Sequence, residues 1–173
     1  IDVVRALSFL RFGELRVADK LTIAVADTGF DMDALRRLLP QVRATSLAVV
    51  EQVMTQEHVS LGVLDPATPY VLPNGQSSFL AGILESKWFK KDATKVEYLA
   101  LLAYGDYRQA DKVMAALMGA TIDMAAIRRL VEKAPDRPAL LAEFNASWGK
   151  DTGFDLISRL AGSAGAGYAA NID

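Results

Sequence analysis

The sequence contains no cysteine, which excludes disulfides and thiolate metal sites, and one histidine, His58, which leaves little for a zinc site or a catalytic triad. It carries no excess of one charge. Nineteen basic against 21 acidic residues give a formal charge of −2, a balance unsuited to neutralising the phosphates of a nucleic acid. No apolar run approaches the roughly 20 residues needed to cross a bilayer, and the first residues do not resemble a signal peptide. A phosphate-binding glycine loop and a nucleophile elbow are also missing. These absences point to a chain that neither spans a membrane nor binds nucleic acid, with no cofactor implied and the compartment left open.

What the sequence does contain is a duplication. The stretch from Gly13 to Leu39 is repeated 92 positions later, from Gly105 to Val131. Without a gap the two copies share Gly13/Gly105, Arg16/Arg108, Ala18/Ala110, Asp19/Asp111, Lys20/Lys112, Ala24/Ala116, Asp31/Asp123, Met32/Met124, Ala34/Ala126, Arg36/Arg128, Arg37/Arg129 and Leu38/Leu130. The register extends upstream through Val4/Val96, Leu7/Leu99 and Leu10/Leu102, and downstream to Glu51/Glu143. Self-similarity on this scale points to tandem structural units, here 1–92 and 93–173.

Periodicity predicts helices in both copies. In the first, Val3, Val4, Ala6, Leu7 and Leu10 share one face of a helix over 1–12 that Gly13 ends. A second helix is expected over 14–26, a turn at Asp27-Thr28-Gly29, then a third with Leu35, Leu38, Leu39 and Val42 as its buried stripe. A fourth runs from about Thr45 or Ser46 to His58. Pro66, Pro69, Pro73, Asn74 and Gly75 then mark a long loop over 59–78, and helical character returns over 79–88. In the second copy the helices fall at 94–104, 107–118, 123–133 and 136–148, with a short fifth at 153–161 and a small-residue stretch at 162–167. Past the loop the copies align at an offset of 76, Leu80 with Leu156 and Leu84 with Leu160, which locates a 16-residue insertion in the first copy. No alternating strand pattern flanked by hairpin turns is seen, so the expected class is all-α. On this register the chain begins and ends inside a unit, as a segment of a longer protein would.

Five short helices per unit, with a turn between the second and third, resemble the annexin repeat. Trp148-Gly149-Lys150-Asp151, followed by Asp155-Leu156, Ser158, Leu160 and Gly162, is similar to the annexin junction Tyr-Gly-Lys-Asp-Leu with its later Asp-Leu, Ser-Glu-Leu and Ser-Gly. Leu117-Met118-Gly119, Asp123 and Ile127 stand where annexins carry Met-Lys-Gly-x-Gly-Thr-Asp and the first isoleucine of the next helix. The resemblance implies calcium-dependent binding to a phospholipid surface, through carbonyls of the turns at 27–30 and 119–122 and a carboxylate from the later short helix. This chain departs from that pattern. Asp27 replaces the first glycine of the first turn, although Gly29 is kept; Thr121 replaces the second glycine of the other, although Gly119 is kept. The carboxylate positions fall on Ile83 and Arg159, and a cation at Arg159 would repel calcium. Similar degenerate repeats occur in large bacterial proteins, some associated with contractile injection systems, an origin that would place the chain in the cytoplasm or on a secreted particle.

Each candidate residue has a plainer alternative. Arg36, Arg37, Arg128 and Arg129 are either repeated anion or headgroup contacts or the solvated faces of their helices. Asp31 and Asp123 are either ligands or N-caps. Phe30 either inserts into a membrane or partner or packs back on its own turn. His58 is placed at a helix end, where the dipole favours a cation. Trp88 and Trp148 read as core, and Lys87, Lys90 and Lys91 as a small basic cluster beside Trp88. Glu85-Ser86 faintly resembles the Glu-Ser step of lytic transglycosylases, which would make Glu85 a general acid cleaving peptidoglycan, but the segment that follows it in those enzymes is absent. The expectation is a non-enzymatic, annexin-like module that docks a protein partner through its turns and the 59–78 insertion, with a calcium-dependent phospholipid surface as the alternative.

Overall fold

The computed structural model describes residues 1–26, 31–87, 93–118 and 121–149. The class is all-α. Among these residues stand nine α-helices, two π-helical turns and one two-stranded pairing. The chain divides into two compact units, one of Ile1–Phe89 with Tyr98–Asp106, the other of Lys90–Glu97 with Tyr107–Asp173.

In the first unit, α1 (Asp2–Phe12) ends at Gly13, which takes φ +75°, a conformation glycine adopts without a Cβ penalty. α2 (Val17–Ala26) starts three residues later than its pattern suggests, because the Arg16 amide is held by a side chain described below. α3 (Met32–Thr45) opens on Asp31, whose carboxylate accepts from the Ala34 amide at 2.9 Å, so this aspartate is a helix cap. Its expected stripe of Leu35, Leu38, Leu39 and Val42 is buried. α4 (Leu47–Val53) follows and widens at Met54–Val59 into a π turn, where the Thr55 hydroxyl reaches the Glu51 and Gln52 carbonyls.

The proline-rich segment is more ordered than a plain loop. Tyr70–Val71 (β1) pairs antiparallel with Ser77–Ser78 (β2), a hairpin too short for alternation to reveal it. Leu64 and Leu72 are buried, and the Thr68 carbonyl lies so close to Gly82 that any β-carbon there would overlap it. α5 (Phe79–Lys87) is capped by Ser78, whose Oγ accepts from the Ala81 amide while donating to Glu51 Oε1 at 2.6 Å.

α6 (Ala93–Tyr104) opens the second copy, and Gly105 again takes φ +75°. α7 (Gln109–Met118), α8 (Met124–Glu132) and α9 (Arg137–Phe144) follow, and α9 passes into a π turn at Asn145–Gly149. Asp123 and Asp136 cap α8 and α9 through the Ala126 and Ala139 amides, both at 2.9 Å. Backbone details coincide as well, since Asp31 N to Ala24 O and Asp123 N to Ala116 O both measure 3.1 Å.

One expected stripe is not buried in both copies. Val96, Leu99 and Leu102 of α6 are buried, whereas on α1 only Val4 is, and Val3, Phe9 and Leu10 are exposed by 54%, 56% and 83%. A period of 3.6 identifies an apolar face, but whether that face meets anything is decided by the neighbours present.

Candidate functional site

The polar centre of the first unit is Asp19, in the first turn of α2 and fully buried. Its Oδ2 accepts from the Arg16 amide (2.9 Å) and Nε (3.0 Å), and its Oδ1 from Arg16 Nη2 (3.0 Å). Ser8 Oγ lies 2.5 Å from Oδ2 and 2.9 Å from the Glu14 carbonyl, and its single hydrogen favours the charged acceptor. His58, carried by the π turn and 3% exposed, places Nε2 3.0 Å from Oδ1. A carboxylate can only accept, so Nε2 bears the proton, and Nδ1 is buried without a hydrogen-bond partner. Arg16 also donates to Glu57 at 3.2 and 2.8 Å and lies 4.2 Å over the Phe12 ring.

Burial alone would push the Asp19 pKa up, but the hydrogen bonds from the Arg16 guanidinium, the Ser8 hydroxyl and the Arg16 amide hold it below the ordinary carboxylate value. The Arg16 hydrogen bonds likewise hold Glu57 below its usual value, against a smaller opposing effect of desolvation. Bonded to Asp19 and then to Glu57, Arg16 is raised well above the usual arginine value and stays charged.

This set contains a serine, a histidine and an aspartate, but not in catalytic order. A triad needs the imidazole between the hydroxyl and the carboxylate, so that it can take the hydroxyl proton. Here Asp19 stands between Ser8 and His58. The cluster ties the end of α1, the start of α2 and the π turn together. A cavity of about 230 Å³ adjoins it, lined by Leu7, Phe12 and Leu61 with Arg11, Gln56 and Ser60.

The second unit has a parallel cluster with different donors. Asp111, fully buried, accepts from the Arg108 amide, Nε and Nη2, each at 2.9 Å, and from the Trp148 indole at 2.9 Å. Arg108 further donates to Ser147 Oγ at 2.9 Å and pairs with Glu143 at 3.0 Å. In the register of the duplication Ala100 replaces Ser8 and Lys150 corresponds to His58. Glu51, the counterpart of Glu143, instead holds the start of α5 through Ser78 and the Leu80 amide, and Glu57 serves Arg16 in its place.

The candidates picked from the sequence stand apart from these clusters. Arg36 and Arg37 on α3, and Arg128 and Arg129 on α8, are exposed. Arg36 reaches Asp33 at 3.8 Å and stands 6.0 Å over the Tyr98 ring. Thr121 is exposed in the bend before α8, and Glu85 is half-buried on α5. Asp27, Gly29, Phe30, Trp88, Lys90, Lys91, Gly119, Arg159 and the fifth helix expected at 153–161 lie outside the described residues. Ile83, the presumed carboxylate position of the first unit, is buried apolar core. His58 does stand in the last turn of its helix, as expected, and is buried there against Asp19. Among the described residues, no three His, Asp or Glu side chains are grouped to hold a metal ion. Sequence reasoning missed both clusters, although Arg16/Arg108 and Asp19/Asp111 are identities of the duplication at the i, i+3 spacing of a helical ion pair. Compared with known proteins, the chain matches no family model, no curated protein and no solved structure.

Proposed function

We propose that this chain is a non-enzymatic helical-repeat module, annexin-like in plan, that works by docking a protein partner. The observation that supports it is the pair of buried Arg–Asp clusters. In each, the carboxylate is occupied by donors from its own unit, and among the described residues neither cluster sets a base against a nucleophile. Such clusters fix helices in place and leave recognition to the outer faces of the units, α1 with its exposed Phe9 and Leu10 foremost. The test is co-sedimentation with acidic-phospholipid vesicles, with and without calcium. The expected result is no calcium-dependent sedimentation. Sedimentation only with calcium would overturn the docking reading and make the chain a calcium-dependent phospholipid-binding module despite Thr121 and Asp27 in its turns.

A further inference from the structure

We propose that copies of this chain associate head to tail, the exposed face of α1 in one copy covering the α8 face of the next. The inference rests on the helical-repeat reading above and names the partner of that docking module as a second copy. It draws on two places where the units differ among the described residues, one being the exposed face of α1 and the other a hollow on α8.

The first is α1. Position by position, Leu10 is 83% exposed where Leu102 of α6 is 0%, Phe9 is 56% exposed where Leu101 is 8%, and Val3 is 54% exposed where Lys95 is 7%. Three large apolar side chains are thus left exposed on one short helix, a feature of the kind that marks an interaction surface.

The second is α8. In the first unit the matching surface of α3 is occupied by α6: the Tyr98 hydroxyl donates to the Met32 carbonyl at 3.2 Å, and Arg36 lies 6.0 Å over the tyrosine ring. The counterparts of Met32 and Arg36 are Met124 and Arg128. There Met124, Ala125, Arg128 and Arg129 line an open hollow, and both arginines are exposed. The first unit thus shows what this surface accepts, which is the first helix of a unit with an aromatic ring under the arginine.

α1 is such a helix. Ala6 stands in the place of Tyr98, and Phe9, one turn further along the same side, offers its ring to Arg128. The hydroxyl bond is lost, so this contact rests on apolar burial and the cation–ring attraction. The two faces are different surfaces, so the association is heterologous and adds copies in series unless the rotation closes a ring.

Sedimentation velocity of the intact chain over a wide concentration range tests this. The expected result is a weight-average mass that rises with concentration past that of a dimer. Two variants then separate the faces, Phe9→Glu with Leu10→Glu on α1, and Ala125→Glu with Arg128→Glu on α8, each checked for unchanged helicity by circular dichroism. All four positions are exposed. Each variant alone should be monomeric, and an equimolar mixture should form a one-to-one dimer and nothing larger, because one intact face remains on each partner. An intact chain that stays monomeric overturns the proposal. So does an α8 variant that associates like the parent, which would mean that α1 pairs with another surface. Calcium-dependent vesicle binding together with head-to-tail association would overturn the docking reading alone, whereas a monomer that ignores vesicles would overturn only the assembly.

Discussion

Replacing Asp19 by alanine removes the acceptor on which the first unit's cluster converges. Asp19 has no exposed surface; its loss strands the Arg16 amide and the His58 Nε2 proton, leaves the Ser8 hydroxyl only the Glu14 carbonyl, and strips the guanidinium of its buried carboxylate. Removing one partner of a buried ion pair costs about 3–5 kcal/mol. Arg16, 26% exposed, keeps Glu57 at 2.8 Å, which moves the expected loss to the lower end, about 3 kcal/mol. That is a large part of the roughly 5–15 kcal/mol that holds a domain folded. Urea unfolding followed by circular dichroism measures it, and Asp111→Ala should lose a similar amount, since Arg108 retains Glu143 at 3.0 Å. A loss under about 1 kcal/mol in either variant would refute the view that these clusters hold the units together.

The same cluster sets an acid limit. Asp19 and Glu57 are both held below ordinary carboxylate values in the folded chain, so near pH 4 the unfolded chain binds more protons than the folded one. Their contribution is whole above the unfolded values and is lost as pH falls through the folded ones. Stability of the parent should therefore drop steeply in acid, and Asp19→Asn, which cannot titrate there, should show a flatter acid limb. Equal slopes would mean that Asp19 does not carry this dependence.

Gly82→Ala reverses the usual helix preference. In an exposed helix interior the change gains up to about 1 kcal/mol, but here the new carbon would meet the Thr68 backbone oxygen, so a loss of about 1–3 kcal/mol is expected in thermal melts. A gain in stability would show that the 60–69 segment does not lie against α5. Tyr107 is pushed up to about 12, by burial first and then by Glu97 and Asp111. Subtracting the ultraviolet titration of Tyr107→Phe from that of the parent should leave one phenol ionising well after the ordinary value of about 10; a difference centred near 10 would contradict its burial.

Much of the fold was legible in the sequence because helix signals are local. The stripe of α3, the caps at Asp31 and Asp123 and the stop at Gly13 depend on neighbours within a turn or two, and each stands where its pattern places it. The hairpin at 70–78 escaped notice because four paired residues are too few to alternate, and its order comes from Leu72 and from Asn74, which donates to the Ala103 carbonyl at 2.9 Å. The start of α2 moved for the same kind of reason, since Arg16 is held outside the helix by a side chain inside it. The clusters were not legible, because Asp19 meets His58 across 39 positions and Asp111 meets Trp148 across 37, and a π turn shifts the side chains that follow it away from the 3.6 period.

The register of the copies shows which part of each cluster is constrained. Arginine and aspartate occur in both, and in both the guanidinium fork meets the carboxylate through two parallel hydrogen bonds. The ring that donates to the far carboxylate oxygen differs in type and in place, since the counterpart of Trp148 is Gln56 and that of His58 is Lys150. Any ring N–H that reaches that oxygen from the π turn suffices, so the donor's identity is free to change while its direction is not. Indole carries only a proton to donate, and Trp148 leaves no nitrogen unpaired. Imidazole brings a second nitrogen, and Nδ1 of His58 is accordingly the one ring atom of the two clusters left buried without a hydrogen bond among the described residues. It follows that His58 costs its unit something that Trp148 does not cost the other, and that the first cluster, despite its additional Ser8 donor, has the less complete set of hydrogen bonds.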